Sequence, residues 1–187
     1  MHLSTPCLQP PSPRRQRGLT LLECCVCLSI LCILLGSAMP SMTSLLDVQR
    51  LRGMSATLVG DLHLMRSEAI VRNTDVRMSF DAAGGGSCYV VHTGPASACR
   101  CNSAGQAQCT GPQAQLLSAR HWPAQGAQQV AANVSSILFD PRIGTASPGG
   151  TVRLTDRTGR EVRHIVSLRG RVRTCSAQGA LGGHPPC

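Results

Sequence analysis

The feature that most restricts the fold of this chain is an apolar run at residues 19–39, in which Glu23 is the only charged residue. Its 21 residues match the roughly 20 that a helix needs to cross the hydrocarbon core of a bilayer. The 18 residues before it are rich in proline and carry three arginines, at positions 14, 15 and 17. By the positive-inside rule, these arginines hold the N-terminus in the cytoplasm. We therefore expect everything after Pro40 to lie outside the cytoplasm.

Interpretations of this segment differ in how they account for Glu23. An ordinary secretory signal could be cleaved near residues 36–38 (Gly-Ser-Ala), but an acid inside its apolar core would weaken it. A lipoprotein signal is disfavoured because no small residue precedes Cys24 or Cys32, and the arginine pair at 14–15 is a weak twin-arginine signal. The third interpretation is processing after residue 18, which puts the acid fifth in the mature chain. Since an isolated carboxylate in hydrocarbon is costly, this acid is expected to have a partner and a function.

The string RGLTLLE at residues 17–23 resembles the class III signal of type IV pilins and pseudopilins. The resemblance implies that a prepilin peptidase cleaves between Gly18 and Leu19, although Leu19 stands where phenylalanine is usual. It also implies that Glu23 is the assembly carboxylate, which pairs with the α-amino group of a neighbouring subunit, and that Pro40 kinks the helix. The implied location is the inner membrane, crossed once, and then a pilus or pseudopilus. The implied partners are inner-membrane lipid, the prepilin peptidase, and other major and minor pilins.

Beyond Pro40, apolar residues recur at steps of three and four, which predicts that an amphipathic helix continues to about Asn73. Its polar residues, among them Arg52 and Asp61, are expected to face mostly away from the core. Together with the apolar run this makes a helix of about 55 residues, or roughly 80 Å at 1.5 Å per residue. No domain of this size buries such a helix completely. We therefore expect its first half to lie in lipid or among similar helices.

From residue 76 the apolar period changes towards two, which predicts strands separated by glycine- and proline-rich turns. A long helix followed by strands indicates an α+β fold, in which the helix packs on an antiparallel sheet domain. The predicted divisions are a leader (1–18), a transmembrane segment (19–40), the amphipathic half of the helix (41–73) and a disulfide-stapled periplasmic β domain (74–187). The predicted strands are 76–80, 88–92, 115–120, 135–139, 151–155, 160–168 and 171–175.

Five of the eleven cysteines lie in the leader or the apolar run, and six lie beyond it. In an oxidising periplasm six cysteines can form up to three disulfides, with fifteen possible pairings. An alternative is a zinc site at Cys99-x-Cys101 with Cys109 and His92, but the paired Cys-x-x-Cys spacing of structural zinc sites is missing. The sequence therefore predicts disulfides and no metal. The candidates are Cys88, Cys99, Cys101, Cys109, Cys175 and Cys187.

Enzymatic motifs are missing from the sequence. It has no lysine, which excludes a Walker-type phosphate loop, a Schiff base and a Ser-Lys dyad. It has no Gly-x-Ser-x-Gly elbow, and its six histidines form no pair at metal-binding spacing. His164 lies within a strand pattern and is expected to be structural. We predict neither an enzyme nor a cofactor.

Positive charge is concentrated near the C-terminus. Residues 151–173 contain seven arginines and two acids, a net charge of +5. On a strand, the period of two would place Arg169, Arg171 and Arg173 on one face, with Val172 behind them. Gly170 would allow a turn and let a phosphate approach the backbone. Such a row of guanidinium groups suits bidentate binding of phosphate oxygens.

The sequence GRVR at residues 170–173, followed by Cys175, resembles the Gly-Arg-x-Arg motif of FimT-type minor pilins. Residues 61–70, DLHLMRSEAI, are similar to the helix end of the FimT/GspH family. The resemblance implies binding of double-stranded DNA during natural transformation, with Arg171 and Arg173 as phosphate contacts assisted by Arg169. Two alternatives stay open. The arginines of an edge strand also prevent aggregation, and a GspH-like pseudopilin of the type II secretion system would contact partner pilins instead of DNA.

Overall fold

The computed structural model describes residues 18, 20–83, 86–126, 128–177 and 181–187. The chain divides into two compact units, Met1–Met42 and Thr43–Cys187. Helix α1 extends from Leu21 to Arg72 and contributes to both units. The strands of the described residues are β1 (Val76–Ala83), β2 (Gly86–Thr93), β3 (Cys99–Cys101), β4 (Ala107–Cys109), β5 (Leu116–Trp122), β6 (Gln128–Ala132), β7 (Ser136–Phe139), β8 (Ala146–Ser147), β9 (Gly150–Asp156), β10 (Glu161–Val166) and β11 (Val172–Ser176).

In the N-terminal unit, Thr20 caps the helix. Its hydroxyl oxygen accepts a hydrogen bond from the backbone N–H of Glu23 at 3.3 Å, which satisfies one of the donors that a helix N-terminus leaves unpaired. The large apolar side chains from Leu21 to Leu35 are between 49% and 85% exposed within this single chain. Such a surface needs a cover of lipid or protein.

Among the described residues, no helical stretch has the length and hydropathy of a membrane span. The predicted span at 19–39 includes residue 19 and the side chains of residues 37–39, which lie outside the described part of the chain. Residues 1–17 of the predicted leader lie outside it as well, and so does the Leu19 side of the predicted cleavage site. The leader, the cleavage site and the transmembrane segment stay predictions.

In the second unit, the apolar stripe of α1 is buried as its periodicity predicts. The helix ends where Asn73 adopts a positive φ of 51°, and the N–H of Thr74 bonds to the carbonyl of Ala69 at 3.2 Å. The expectation that Asp61 faces away from the core was wrong, because Asp61 is only 7% exposed. Its carboxylate accepts a 2.7 Å hydrogen bond from the hydroxyl of Tyr89, which is what permits a polar side chain at this position.

The strands form a five-stranded sheet (β5-β2-β1-β7-β8), a four-stranded sheet (β11-β10-β9-β6) and a two-stranded ribbon (β3-β4). All the pairings in these sheets are antiparallel. The α1 stripe and inward side chains of both larger sheets, including Tyr89, Phe139 and Leu154, make one apolar core. This arrangement confirms the predicted α+β class.

The described part of the chain contains three disulfides. Cys88–Cys101 joins β2 to the ribbon, and Cys99–Cys109 joins the two strands of the ribbon. Cys175–Cys187 holds the C-terminus against β11, where the N–H of Ser176 also bonds to the carbonyl of Pro185 at 2.9 Å. The cysteine-rich segment between β2 and β5 therefore contains a short hairpin, and the sulfurs of the zinc alternative are engaged in disulfides.

Candidate functional site

The candidate site lies on the β10–β11 hairpin, where the turn from Ser167 to Arg171 is closed by hydrogen bonds. The N–H of Ser167 donates to the carbonyl of Arg171 at 3.0 Å, and the N–H of Arg171 donates to the hydroxyl oxygen of Ser167 at 3.2 Å. The N–H of Gly170 donates to the carbonyl of Ser167 at 2.8 Å. Gly170 has a φ of +72°, a conformation that favours glycine. The turn therefore holds the first half of the arginine motif in a fixed shape.

Gly170 is buried, so its role differs from the one expected. A Cβ at this position would lie 2.4 Å from the carbonyl oxygen of Gly144 and 3.2 Å from the ring of Phe139. Its N–H is already bonded to Ser167. The turn that Gly170 was expected to allow is present. The expected approach of a phosphate to the Gly170 backbone is blocked, because the neighbouring loop covers this residue.

Arg171 and Arg173 lie on one side of the hairpin, and both are exposed. Val172 between them is half-buried and packs against the core. Arg169 is exposed too, but it lies in the turn before β11 and not on the strand. Of the three arginines expected in one strand row, Arg173 lies on β11, Arg171 directly precedes that strand, and Arg169 projects from the turn.

Strand register extends this side into a wider surface. In antiparallel sheets, directly opposed residues project to the same side. Ile165 is opposed to Arg173 on β11 and to Thr151 on β9, and two residues along β10 Arg163 is opposed to Arg153. We call this surface the outer face and define it by Arg153, Arg163, Ile165, Arg171 and Arg173.

The seven arginines of residues 151–173 separate into two groups by their partners. Arg157 reaches the Asp47 carboxylate at 2.7 Å, Arg160 reaches Asp156 at 2.7 Å, and Arg163 pairs with Glu161. The other four are exposed and have no acidic group within 4 Å among the described residues. These unpaired arginines are Arg153, Arg169, Arg171 and Arg173.

Within the paired group, Arg157 and Arg160 have a structural role. Asp47 on α1 is 1% exposed, so its ion pair with Arg157 joins the β9–β10 hairpin to the helix. Burial by itself raises the pKa of Asp156, but hydrogen bonds from Thr158 and Arg160 outweigh it and bring that pKa below its usual range. Arg160 also donates to the hydroxyl of Ser44 at 3.3 Å. The sequence offered no signal for the Arg157–Asp47 pair, because the two residues are 110 positions apart.

The two buried histidines of the core, His92 and His164, are hydrogen-bond partners of neighbouring groups. His92 is buried, with Nε2 at 3.0 Å from the Ser79 hydroxyl and Nδ1 at 2.9 Å from the Thr93 carbonyl, and burial lowers its pKa. His164 is buried with Nδ1 at 3.0 Å from the Thr174 hydroxyl, and burial lowers its pKa to about 4. The described residues contain no group of three or more His, Cys, Asp or Glu side chains placed to hold a metal ion.

Comparison with known proteins gives two matches. A family model described as type II transport protein GspH matches residues 55–170, more than half of the chain. Among solved structures, the type IV minor pilin FimU of Pseudomonas aeruginosa (strain PAO1) is similar, at 18% sequence identity and a TM-score of 0.43. That alignment covers 71% of this chain and 90% of the FimU chain. No curated protein sequence matches the chain.

Proposed function

Because this chain belongs to the GspH family of minor pilins and pseudopilins, we propose that it is a minor type IV pilin that binds double-stranded DNA through the outer face. The resemblance to this family, drawn from the sequence, is thereby confirmed. The proposed role is capture of DNA for uptake in natural transformation.

The observation that carries the DNA proposal is the pair Arg171 and Arg173. Both are exposed on the same side of the β10–β11 hairpin, and no acidic group of the described chain neutralises them. Alternate residues of a strand are about 7 Å apart, so the two guanidinium groups can contact separate phosphates. The turn and the disulfide at Cys175 hold the strand at both ends, which lowers the conformational entropy lost on binding. Arg169 and Arg153 extend the positive charge on either side.

The proposed contacts are to phosphates, which position a protein on DNA without reading its sequence. We therefore expect slight sequence preference. We also expect the logarithm of the affinity to fall with the logarithm of salt concentration, by about 0.9 for each phosphate neutralised. Aromatic stacking contributes little here, since the outer face has no aromatic side chain among its defining residues.

The assembly part of the proposal rests on the N-terminal unit. Cleavage between Gly18 and Leu19 by a prepilin peptidase would place Glu23 fifth in the mature chain. The exposed apolar side chains from Leu21 to Leu35 suit a cover of inner-membrane lipid before assembly and of other pilin helices afterwards. The proposed location is the inner membrane, with the second unit in the periplasm, and then the pilus.

The test is a fluorescence-anisotropy titration of the oxidised full-length chain in nonionic detergent with a 25-base-pair duplex at several salt concentrations. The variant Arg171→Gln/Arg173→Gln is expected to lose most of the salt-sensitive binding. Its control for the loss of net charge is Arg50→Gln/Arg100→Gln, at side chains that are 60% and 68% exposed elsewhere and face the carboxylates of Asp47 and Asp81. Equal losses in the two variants would mean a diffuse basic surface and would contradict this site.

A second candidate function follows from the matched family model, whose description names a type II transport protein. In this alternative the chain is a structural pseudopilin, and the outer face contacts another subunit. The same titration separates the two proposals, because a pseudopilin of this kind would show no binding of duplex DNA at low salt.

A further inference from the structure

Two loops and the end of α1 meet at one corner of the second unit. The N–H of Ala146 donates to the carbonyl of Leu168 at 2.9 Å, which pairs the segment after residue 140 with the β10–β11 turn. Gly170 packs on the carbonyl of Gly144, leaving no room for a Cβ between them. Both glycines have positive φ, +72° and +62°. The close glycine contact thus fixes the loop at 140–145 directly beside the arginine motif.

This packing places Arg142 in the neighbourhood of the motif, although it lies 27 positions before Arg169 in the sequence. Arg142 is exposed, and its backbone is held in a tight turn. The Asp140 carboxylate accepts hydrogen bonds from the N–H groups of Arg142 at 2.8 Å and Ile143 at 3.3 Å, and the N–H of Gly144 bonds to the carbonyl of Asp140 at 3.0 Å. The side chain of Arg142 is therefore presented from a rigid support.

The helix adds a second arginine at this corner. A Cβ on Gly144 would lie 2.9 Å from Nε of Arg66 and 3.4 Å from Cδ1 of Ile70, so the last turns of α1 lie against the loop. Arg66 is half-buried. Within the described chain, neither Arg66 nor Arg142 has a carboxylate within 4 Å of its guanidinium group. Asp140 supplies one negative charge to the corner, and it is already engaged by backbone donors.

We propose that Arg142 is a further phosphate contact of the DNA site, outside the Gly-Arg-x-Arg motif, and that Arg66 adds positive charge at the same corner. The inference rests on the proposed function and deepens it, since it extends the contact surface from the outer face around the β10–β11 turn. The bound duplex spans Arg173 on β11, then Arg171 directly before that strand, then Arg169 in the turn, and then Arg142 on the adjacent loop. The backbone contact between Gly144 and Gly170 holds the last of these groups in register with the others.

DNA is favoured over a protein partner because exposed arginines without a carboxylate partner occur on β11, in the β10–β11 turn and on the loop at this corner. The corner also exposes Ile70, Ile143 and Leu168, by 52%, 71% and 65%. A protein partner would bury these side chains and depend on them. A duplex held through its phosphates would not. Substitution of these apolar side chains therefore separates the two occupants.

The experiment is the anisotropy titration of the full-length chain described above, with single variants. Arg142→Gln is expected to weaken binding several-fold at low salt and to reduce the salt slope by about 0.9, the value for one phosphate. Arg142→Lys keeps the charge and is expected to keep the slope. The matched control Arg100→Gln and the apolar variant Ile143→Ser are expected to bind within twofold of the unmodified chain. A thermal melt of each variant verifies that it is folded.

Three outcomes would overturn the inference. If Arg142→Gln matches Arg100→Gln while Arg171→Gln/Arg173→Gln loses binding, the site exists but stops at the motif. If Ile143→Ser weakens binding as much as Arg142→Gln does, the corner acts through apolar contact and not through phosphates. If the unmodified chain binds no duplex at low salt, the proposed function fails, and this inference fails with it.

Discussion

Gly170→Ala separates the folding role of the motif glycine from its supposed binding role. The alanine would have to keep a φ of +72°, which costs roughly 1 kcal/mol for a residue with a Cβ. Its Cβ would also lie 2.4 Å from the Gly144 carbonyl oxygen, so backbone must move. Forcing an extra carbon into a packed interior typically costs about 1–3 kcal/mol. We expect a total destabilisation of about 2–4 kcal/mol, a large part of the roughly 5–15 kcal/mol that stabilises a domain.

Gly159→Ala is the matched control, because Gly159 has a φ of +81° in the neighbouring β9–β10 hairpin but nothing within 4 Å of a Cβ. The Gly159→Ala variant has the cost of the positive φ but no steric contact, so its free energy of unfolding should fall by only about 1 kcal/mol. Urea unfolding of the oxidised chain gives both values, and in thermal melts each kcal/mol lowers the midpoint by about 2–4 °C for a unit of this size. Equal midpoints for the two variants would refute the packing of Gly170 on Gly144.

Three further predictions concern titration and covalent links. Because burial lowers the pKa of His164 to about 4, the unfolded chain binds a proton between pH 6.5 and about 4 that the folded chain does not bind. The free energy of unfolding should therefore fall by up to about 3 kcal/mol as pH drops through this window. Urea unfolding of a His164→Gln variant should show that most of this pH dependence is lost. Burial, and then the hydrogen bond to Asp61, raise the pKa of Tyr89, which is the single tyrosine of the chain. Absorbance near 295 nm should therefore show no phenolate in the folded chain at pH 11, whereas the tyrosine of the urea-unfolded chain titrates near pH 10. Removing the Cys175–Cys187 disulfide by serine substitution should cost about 3 kcal/mol of stability through loop-closure entropy, which urea unfolding measures.

Periodicity predicted the main elements because it records burial directly. The apolar stripe of α1 and the period-two runs of the larger sheets each face one continuous core, so composition along the element is enough to find them. The missed strands β3, β4, β6 and β8 are short and poor in β-branched residues. Pairing with another strand, or a disulfide such as Cys99–Cys109, holds them in place. Neither cause is visible in the local sequence pattern.

The buried Asp61 shows the same limit within a correctly predicted helix. On α1 alone, a carboxylate among apolar neighbours is expected to turn outwards. The hydroxyl that satisfies it belongs to Tyr89, 28 positions later and on a different element. Only the packed structure brings the two together, so helical periodicity gave the right element and the wrong environment for this side chain.

At the candidate site, the sequence shows how many arginines there are but not which of them remain unpaired in the folded chain. Residues 151–173 contain seven arginines; if every one met a phosphate, the salt slope would reach about −6. Three of them are engaged by Asp47, Asp156 and Glu161, and the pairs with Asp47 and Asp156 hold the β9–β10 hairpin in place before any ligand arrives. Four unpaired arginines limit the slope of this stretch to about −3.6, and Arg142 would bring it to about −4.5. The number of phosphates that the site can hold therefore depends on the ion pairs that the fold has already made.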